Sequence, residues 1–301
     1  MRVAISGSSG FVGTALRESL TADGHDVLRL VRRQPASPDE VWWDPRVGDI
    51  DPNPLEGLDA VVNLSGAGVG DRRWTKAYKD TLRSSRIHST TILATTLSRL
   101  DTPPRVFLSA SGMNVYGADR GDHLLDEDSG PGQDFLARLC HDWEHAAHPA
   151  SAAGIDVCHA RFTMVMDRRG GSLAKTLPLF RLGLGGTLAG GRQYWSFISL
   201  ADTVRALRFL IETPGCSGPY NIAAPEPVTN AEFTRVLAHA LHRPAVLPVP
   251  RFALRTAIGE LSAYIAGSMR VVPTRLTGAG FKHEHPTART VVAAALDPNV
   301  P

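Results

Sequence analysis

Lysine is nearly absent from this chain. Of its 32 Lys plus Arg, only Lys76, Lys79, Lys175 and Lys282 are lysine, which leaves 28 arginines. Arginine keeps its charge throughout the accessible pH range and cannot serve as a titrating base, so chemistry that needs a lysine has four places to find one. Cysteine is scarce too. Cys140, Cys158 and Cys216 are odd in number and far apart, which excludes a disulfide framework and a CxxC metal or redox site, so no metal centre is expected. They read as buried apolar filler. No run approaches the roughly 18 consecutive apolar residues of a membrane span, and Met1 leads straight into a strand-like run without a signal-peptide pattern. A cytoplasmic protein that engages no membrane is expected. A net charge of +2 is too small for a nucleic-acid surface. The expected partner is a small molecule.

What is present is a soluble globular composition over 301 residues, 43% hydrophobic and 21% charged, enough for one large domain or two modest ones. Apolar runs at 2–6, 26–31, 41–43, 59–64, 105–109 and 155–161 read as buried strands, and 11–23, 74–99 and 134–153 have helical length and composition. That alternation predicts an α/β fold, a Rossmann-like doubly wound parallel sheet with helices on both faces. After residue 165 come glycine-rich loops through Gly191, a helix near 200–213, a strand at 219–222, and helical segments near 229–242, 251–267 and 286–296. The expected division is a nucleotide-binding domain over 1–165, rejoined by 200–225, and a smaller α+β substrate lobe over 166–199 and 226–301.

Directly after the first strand stands Gly7-Ser8-Ser9-Gly10-Phe11-Val12-Gly13, followed by a helix. Glycines allow the tight turn and the approach of backbone to a pyrophosphate, and the helix N-terminus offers N–H groups to the anion. An NAD site usually has Asp or Glu at the end of the second strand, for the ribose 2′-hydroxyl. This chain has Arg29, Arg32 and Arg33 there. A guanidinium pairs with a 2′-phosphate where a carboxylate would repel it, so NADP(H) is the expected cofactor, with Arg32 and Arg33 as its ligands. Asp44, after the third strand, is placed to accept from the adenine amino group.

Further motifs accumulate along the chain. They include Trp43-Asp44-Pro45, Asn63-Leu64-Ser65-Gly66-Ala67, Arg73-Trp74-Thr75, Ser85-Arg86, Ser109-Ala110-Ser111 leading to Val115-Tyr116-Gly117, and Trp143-Glu144. Later come Gly183-Leu184-Gly185-Gly186, Gly191-Arg192-Gln193, Gly218-Pro219-Tyr220-Asn221-Ile222 and Gly280-Phe281. With the glycine turn, these resemble the extended short-chain dehydrogenase/reductases, in particular an atypical epimerase-family branch that ends in a small domain of unknown function. The resemblance implies that Leu64, Ser65, Gly66, Ala67 and Arg86 line the cofactor, that Ser109 and Ser111 stand beside the nicotinamide, and that Arg161 passes along its carboxamide side. It also supports a homodimer through the two long helices.

The superfamily's acid–base pair is a Tyr whose pKa is lowered by a Lys four positions on. This chain does not contain it. Four residues after its tyrosines stand Leu82, Arg120, Ile198, Ala224 and Ser268, and no lysine lies between Lys79 and Lys175. On the relevant helix, Phe135 or Leu136 takes the Tyr position and Leu139 or Cys140 the Lys position. Ser111 and Tyr116 are the replacement catalytic candidates, with Arg72, Gln193 and Tyr194 as substrate contacts; Arg86 and Arg192 are further candidates for an anion. Ser199-Leu200-Ala201-Asp202 stands where the branch commonly has His-x-x-Asp. The reading is an NADP(H)-dependent oxidoreductase acting on a small polar substrate, anionic or a sugar nucleotide. The alternatives are a non-catalytic NADP(H)-binding sensor or scaffold, and a nucleotide-sugar epimerase.

Overall fold

The computed structural model describes residues 1–297, so the last four residues of the expected lobe lie outside the described residues. Its centre is an eight-stranded sheet. We label its strands β1 (Arg2–Ser6), β2 (Asp26–Val31), β3 (Glu40–Asp44), β4 (Asp49–Ile50), β5 (Ala60–Asn63), β6 (Val106–Gly112), β7 (Asp156–Phe162) and β8 (Gly218–Ile222). They lie in the order β8-β7-β6-β5-β1-β2-β3-β4, all parallel except the two-residue β4, which turns back antiparallel on β3. The order reverses between β1 and β5. In an open parallel sheet a ligand binds beyond the carboxyl ends of the strands at such a reversal.

Helices cover both faces because the strands are apolar on both. On one face α1 (Phe11–Ala22) and α5 (Leu200–Glu212) bury Leu16, Leu20, Leu207 and Leu210 against Val3, Ile5 and Leu108. On the other, Leu93 and Leu97 of α2 (Lys76–Leu97) pack with Phe107 and Val157, and α3 (Phe135–His145) follows beside it. Residues 200–222 therefore return to the first sheet. A separate core joins Met166, Phe197, Phe233, Leu237, Val291 and Val292, drawn from α6 (Asn230–Ala240), α7 (Ala288–Leu296) and the strands between. No helix among the described residues is long and apolar enough to cross a membrane.

Two expected helices are broken and one was missed. The 134–153 segment is interrupted after His145 and resumes at His148–Ala152, with Pro149 in its first turn. The 251–267 segment breaks at Gly259, whose φ of 64° a helix cannot continue, into Arg251–Ile258, a 3₁₀ turn and Ser262–Ala266. Within the glycine-rich stretch read as loop, α4 (Gly171–Arg181) forms in spite of Pro178, because Leu173 and Leu177 repeat at helical spacing and bury their side chains. Ser199 is the N-cap of α5, accepting from the Asp202 N–H at 3.1 Å. Asp202 is fully buried and accepts from the N–H groups of Glu284 and His285 and from Arg205, so the Ser-x-x-Asp motif ties α5 to the C-terminal segment. Among the described residues, Asp202, Glu284 and His285 form a cluster of acidic and imidazole groups, and Arg205 pairs with both carboxylates.

Candidate functional site

The glycine turn closes under severe steric limits. Gly7 has φ 72°, and a Cβ there would stand 2.8 Å from the Leu64 carbonyl group; a Cβ on Gly13 would stand 2.2 Å from the Gly7 oxygen. The turn is therefore pressed between α1 and the β5-end loop, which brings Leu64 and Ser65 beside Gly7. A buried polar chain fixes that loop: Ser6 donates to Asn63 Oδ1 at 2.6 Å, Ser65 Oγ donates to Ser6, and Asn63 Nδ2 donates to Thr90, which also accepts from Trp143. Ala67 N donates to Ser85. At the start of α1, Gly10 caps without a side chain and no acidic residue occupies the first turn, while Ser9 is exposed and Val12 half-buried. The Phe11 ring lies against Gly170, where a Cβ would clash at 2.4 Å, so the segment entering α4 sits on the turn.

At the end of β2 the arginines separate. Arg33 forms a bidentate pair with buried Glu40 at 2.7 and 2.5 Å, and Arg29 is held by Asp39 and Glu40. Arg32 is exposed and makes no ion pair with any described residue. Of the two expected phosphate ligands, Arg32 has its whole guanidinium to offer, and Arg33 presents only what Glu40 leaves. Asp44 accepts twice from Arg46 at 2.9 and 2.6 Å, which, with Arg32 nearby, brings its carboxyl down to about 2.

Beyond β6 the expected residues meet one the sequence did not single out. Ser111 Oγ donates to Glu144 Oε1 at 2.7 Å, and Arg161 grips the same carboxylate through Nε at 2.8 Å and Nη2 at 2.9 Å. Burial pushes the Glu144 carboxyl up, but Arg161 outweighs it and the net direction is down. Arg161 is thereby turned into the protein, against its expected place along a carboxamide. It also donates to the Tyr116 hydroxyl at 3.0 Å and lies over that ring. Tyr116 in turn donates to Asn221 at 2.8 Å. Fully buried, with burial pushing its phenol up to about 12, Tyr116 fits a structural link and does not fit the expected proton donor. Ser109 is enclosed in the sheet and reaches only the Ala110 carbonyl, at 3.5 Å.

Of the residues expected at the Tyr and Lys positions on α3, Leu136, Leu139 and Cys140 are buried and Phe135 is half-buried. The Cys140 thiol is pushed up to about 12 by burial and lies 3.6 Å from where a Gly112 Cβ would stand. Arg86 of α2 reaches this spot. Its guanidinium lies 5.0 Å over the Trp143 ring and 3.3 Å from where a Gly66 Cβ would stand. Behind Glu144, a cavity of about 670 Å³ is lined by His141, His145, His148 and His159, and buried His159 Nδ1 has no hydrogen-bond partner among the described residues.

The expected substrate contacts divide. Arg72 is exposed in the loop before α2. Gln193 is buried and donates to the Leu188 carbonyl at 2.9 Å, and Tyr194 stacks under Arg270 at 4.6 Å. Both are lobe-packing residues, contrary to a direct substrate role. Arg192 is exposed beside them. Glu40, Glu144, Asn221 and Glu127 are the site's missed polar residues. Of these only Asn221, between Tyr220 and Ile222, carried a signal, a polar side chain in an apolar run.

Comparison with known proteins follows this geometry. Residues 3–223 match the NAD dependent epimerase/dehydratase family. The chain belongs to that family. Residues 249–295 match a domain of unknown function, DUF1731. The epimerase family protein MT2273 of Mycobacterium tuberculosis is 45% identical over 95% of this chain and 94% of its own length. The epimerase family protein SDR39U1 of Bos taurus is 36% identical over 95% of this chain and 96% of its own. The crystal structure of human SDR39U1 (isoform 2) with NADPH superimposes with a TM-score of 0.90 at 30% identity, covering 97% of this chain and 98% of that one. The chain is thus an epimerase-family, extended short-chain dehydrogenase/reductase fold with a nucleotide-binding Rossmann sheet.

Proposed function

We propose that this protein binds NADP(H) and uses it for hydride transfer to or from a small polar substrate. The observation that carries the reading is Arg32: an exposed guanidinium that makes no ion pair with any described residue, at the strand end where an NAD site places a carboxylate. The sterically obligatory glycines at 7 and 13 suit the close approach of a pyrophosphate, and the human relative was crystallised with NADPH. Gly7, Ser9, Gly10, Phe11, Val12 and Gly13 would hold the pyrophosphate, with Leu64 to Ala67 along the adenosine side. Nicotinamide, when bound, supplies or takes the hydride.

The proton then falls to Ser111. In the direction of oxidation the substrate hydroxyl proton passes to Ser111 Oγ as the Ser111 proton passes to the Glu144 carboxylate 2.7 Å away; reduction runs the same transfers backwards. Glu144 faces the histidine-lined cavity, which gives that proton a way to solvent. Titration with NADPH followed by nicotinamide fluorescence tests the cofactor half. Arg32→Glu should weaken NADPH roughly 10- to 100-fold and leave NADH nearly unchanged, whereas equal losses would remove Arg32 from the 2′-phosphate.

A second reading, a sensor or scaffold that binds NADP(H) without turnover, is favoured by the apolar Phe135 or Leu136 and Leu139 or Cys140 where the family has its Tyr and Lys. Transfer of deuteride from labelled NADPH to any carbonyl compound would dispose of it.

A further inference from the structure

Arg86 differs from Arg29, Arg161 and Arg208. The side chains of Arg29, Arg161 and Arg208 are each about one-fifth exposed or less, and each holds a carboxylate at 2.5–2.8 Å. Arg86 is wedged between α2, α3 and the β5-end loop, and it has no carboxylate partner among the described residues. Its hydrogen bond runs from Nη1 to the Leu82 carbonyl, one turn back on its own helix, at 3.0 Å. The Trp143 ring lies under the guanidinium at 5.0 Å. No carboxylate among the described residues offsets its burial, which lowers its pKa. A desolvated cation with one carbonyl and one ring is poorly compensated, since only an ion pair with further hydrogen bonds repays such burial. A fold that pairs Arg29, Arg161 and Arg208 with carboxylates leaves this guanidinium for an anion from outside.

The surroundings say where that anion lies. On one side of Arg86 is Gly66, in the loop pressed against the glycine turn. On the other is Cys140, whose sulfur lies beside Gly112, the neighbour of Ser111. Arg86 and Cys140 thus lie on the side of Gly112 and Ser111, at the carboxyl end of β6. A small molecule whose reacting oxygen meets Ser111 would turn an anionic group toward Arg86. With one face of the guanidinium covered by Trp143, the in-plane fork remains, which matches the two oxygens of a carboxylate.

We propose that Arg86, which the family resemblance sets along the cofactor, is instead the substrate's anion ligand, and that the substrate is a small hydroxy or oxo carboxylic acid. This deepens the oxidoreductase reading above and rests on it.

The test uses the wild-type protein saturated with NADP⁺ and titrated calorimetrically with oxalate and, separately, with inorganic phosphate. NADPH binding to the wild type is measured first, and its absence would overturn the cofactor reading rather than this one. We expect oxalate to bind the complex in preference to phosphate. Arg86→Met should weaken oxalate roughly 10- to 100-fold while NADPH changes about threefold or less, and Arg86→Lys should fall between, having charge without the fork. No oxalate binding to the wild-type complex below about 10 mM, a preference for phosphate, or an equal loss of NADPH and oxalate in Arg86→Met each overturns the proposal. Should Arg86→Met fail to fold, the wild-type and Arg86→Lys titrations decide alone.

Discussion

Glu144 accepts one hydrogen bond from Ser111 and two from Arg161, so a single carboxylate holds the site together. Replacing it by Gln leaves Arg161 enclosed without an anion, and breaking such a pair costs about 3 kcal/mol or more. Denaturant unfolding of Glu144→Gln should show that loss. The Glu144 carboxyl lies below its ordinary value, which for Glu is about 4.3. Its contribution is therefore complete above about pH 4.3 and is lost as the pH falls through the folded value. Thermal melts of the wild type below about pH 4.3 should converge on those of Glu144→Gln; a constant gap would show that the pair is not the origin. Tyr116→Phe makes the opposite kind of change: it removes the hydroxyl between Arg161 and Asn221 and should cost about 1–3 kcal/mol with cofactor affinity intact. A turnover loss far beyond that destabilisation would return Tyr116 to the chemistry.

Among the elements, the glycine turn carries the sharpest expectation. Gly13→Ala sets a methyl 2.2 Å from the Gly7 oxygen, a backbone atom that cannot swing aside. The turn must open, at a cost of about 1–3 kcal/mol, and NADPH affinity should fall beyond detection in the fluorescence titration while the β8 edge of the sheet stays folded. This turn and the parallel strands were legible in the sequence because their determinants are local: glycines after an apolar run, and runs that alternate with helical stretches. α4 was not, because glycines and Pro178 mask the Leu173 and Leu177 spacing. The candidate site divides the same way. Arg32 could be read from its place after β2, but whether Arg33 was free depended on Glu40, seven residues on and buried by the start of β3. Ser111 could be named, while its partner lies 33 residues away on α3. Such pairings are set by packing, which no spacing rule carries.

Polar links tie the whole molecule across its cores. Tyr264 donates to Asp134 at 2.7 Å and accepts from Leu136 N at the start of α3, Lys79 pairs with Glu260, and Lys175 donates to the Gly70 carbonyl. Tyr264→Phe deletes the first of these and should lower the melting temperature by roughly 2–6 °C, readable by calorimetry. The outward faces of α2 and α3 carry Lys76, Asp80, Arg83, His88, Arg138 and His141. A dimer through those helices would have to desolvate these groups, so sedimentation at micromolar concentration is expected to give a monomer, against the pairing that the family resemblance suggests. Finally, the three cysteines are all unbridged and buried, Cys140 under Gly112 and Cys158 donating to the Cys216 carbonyl in the opposite layer. With burial suppressing the Cys140 and Cys158 thiolates, a maleimide can reach them only when the chain opens. The rate of labelling at each is a built-in clock: Cys140 times the parting of α3 from β6, Cys158 and Cys216 time the loosening of the β7–β8 edge, and added NADPH should slow the first.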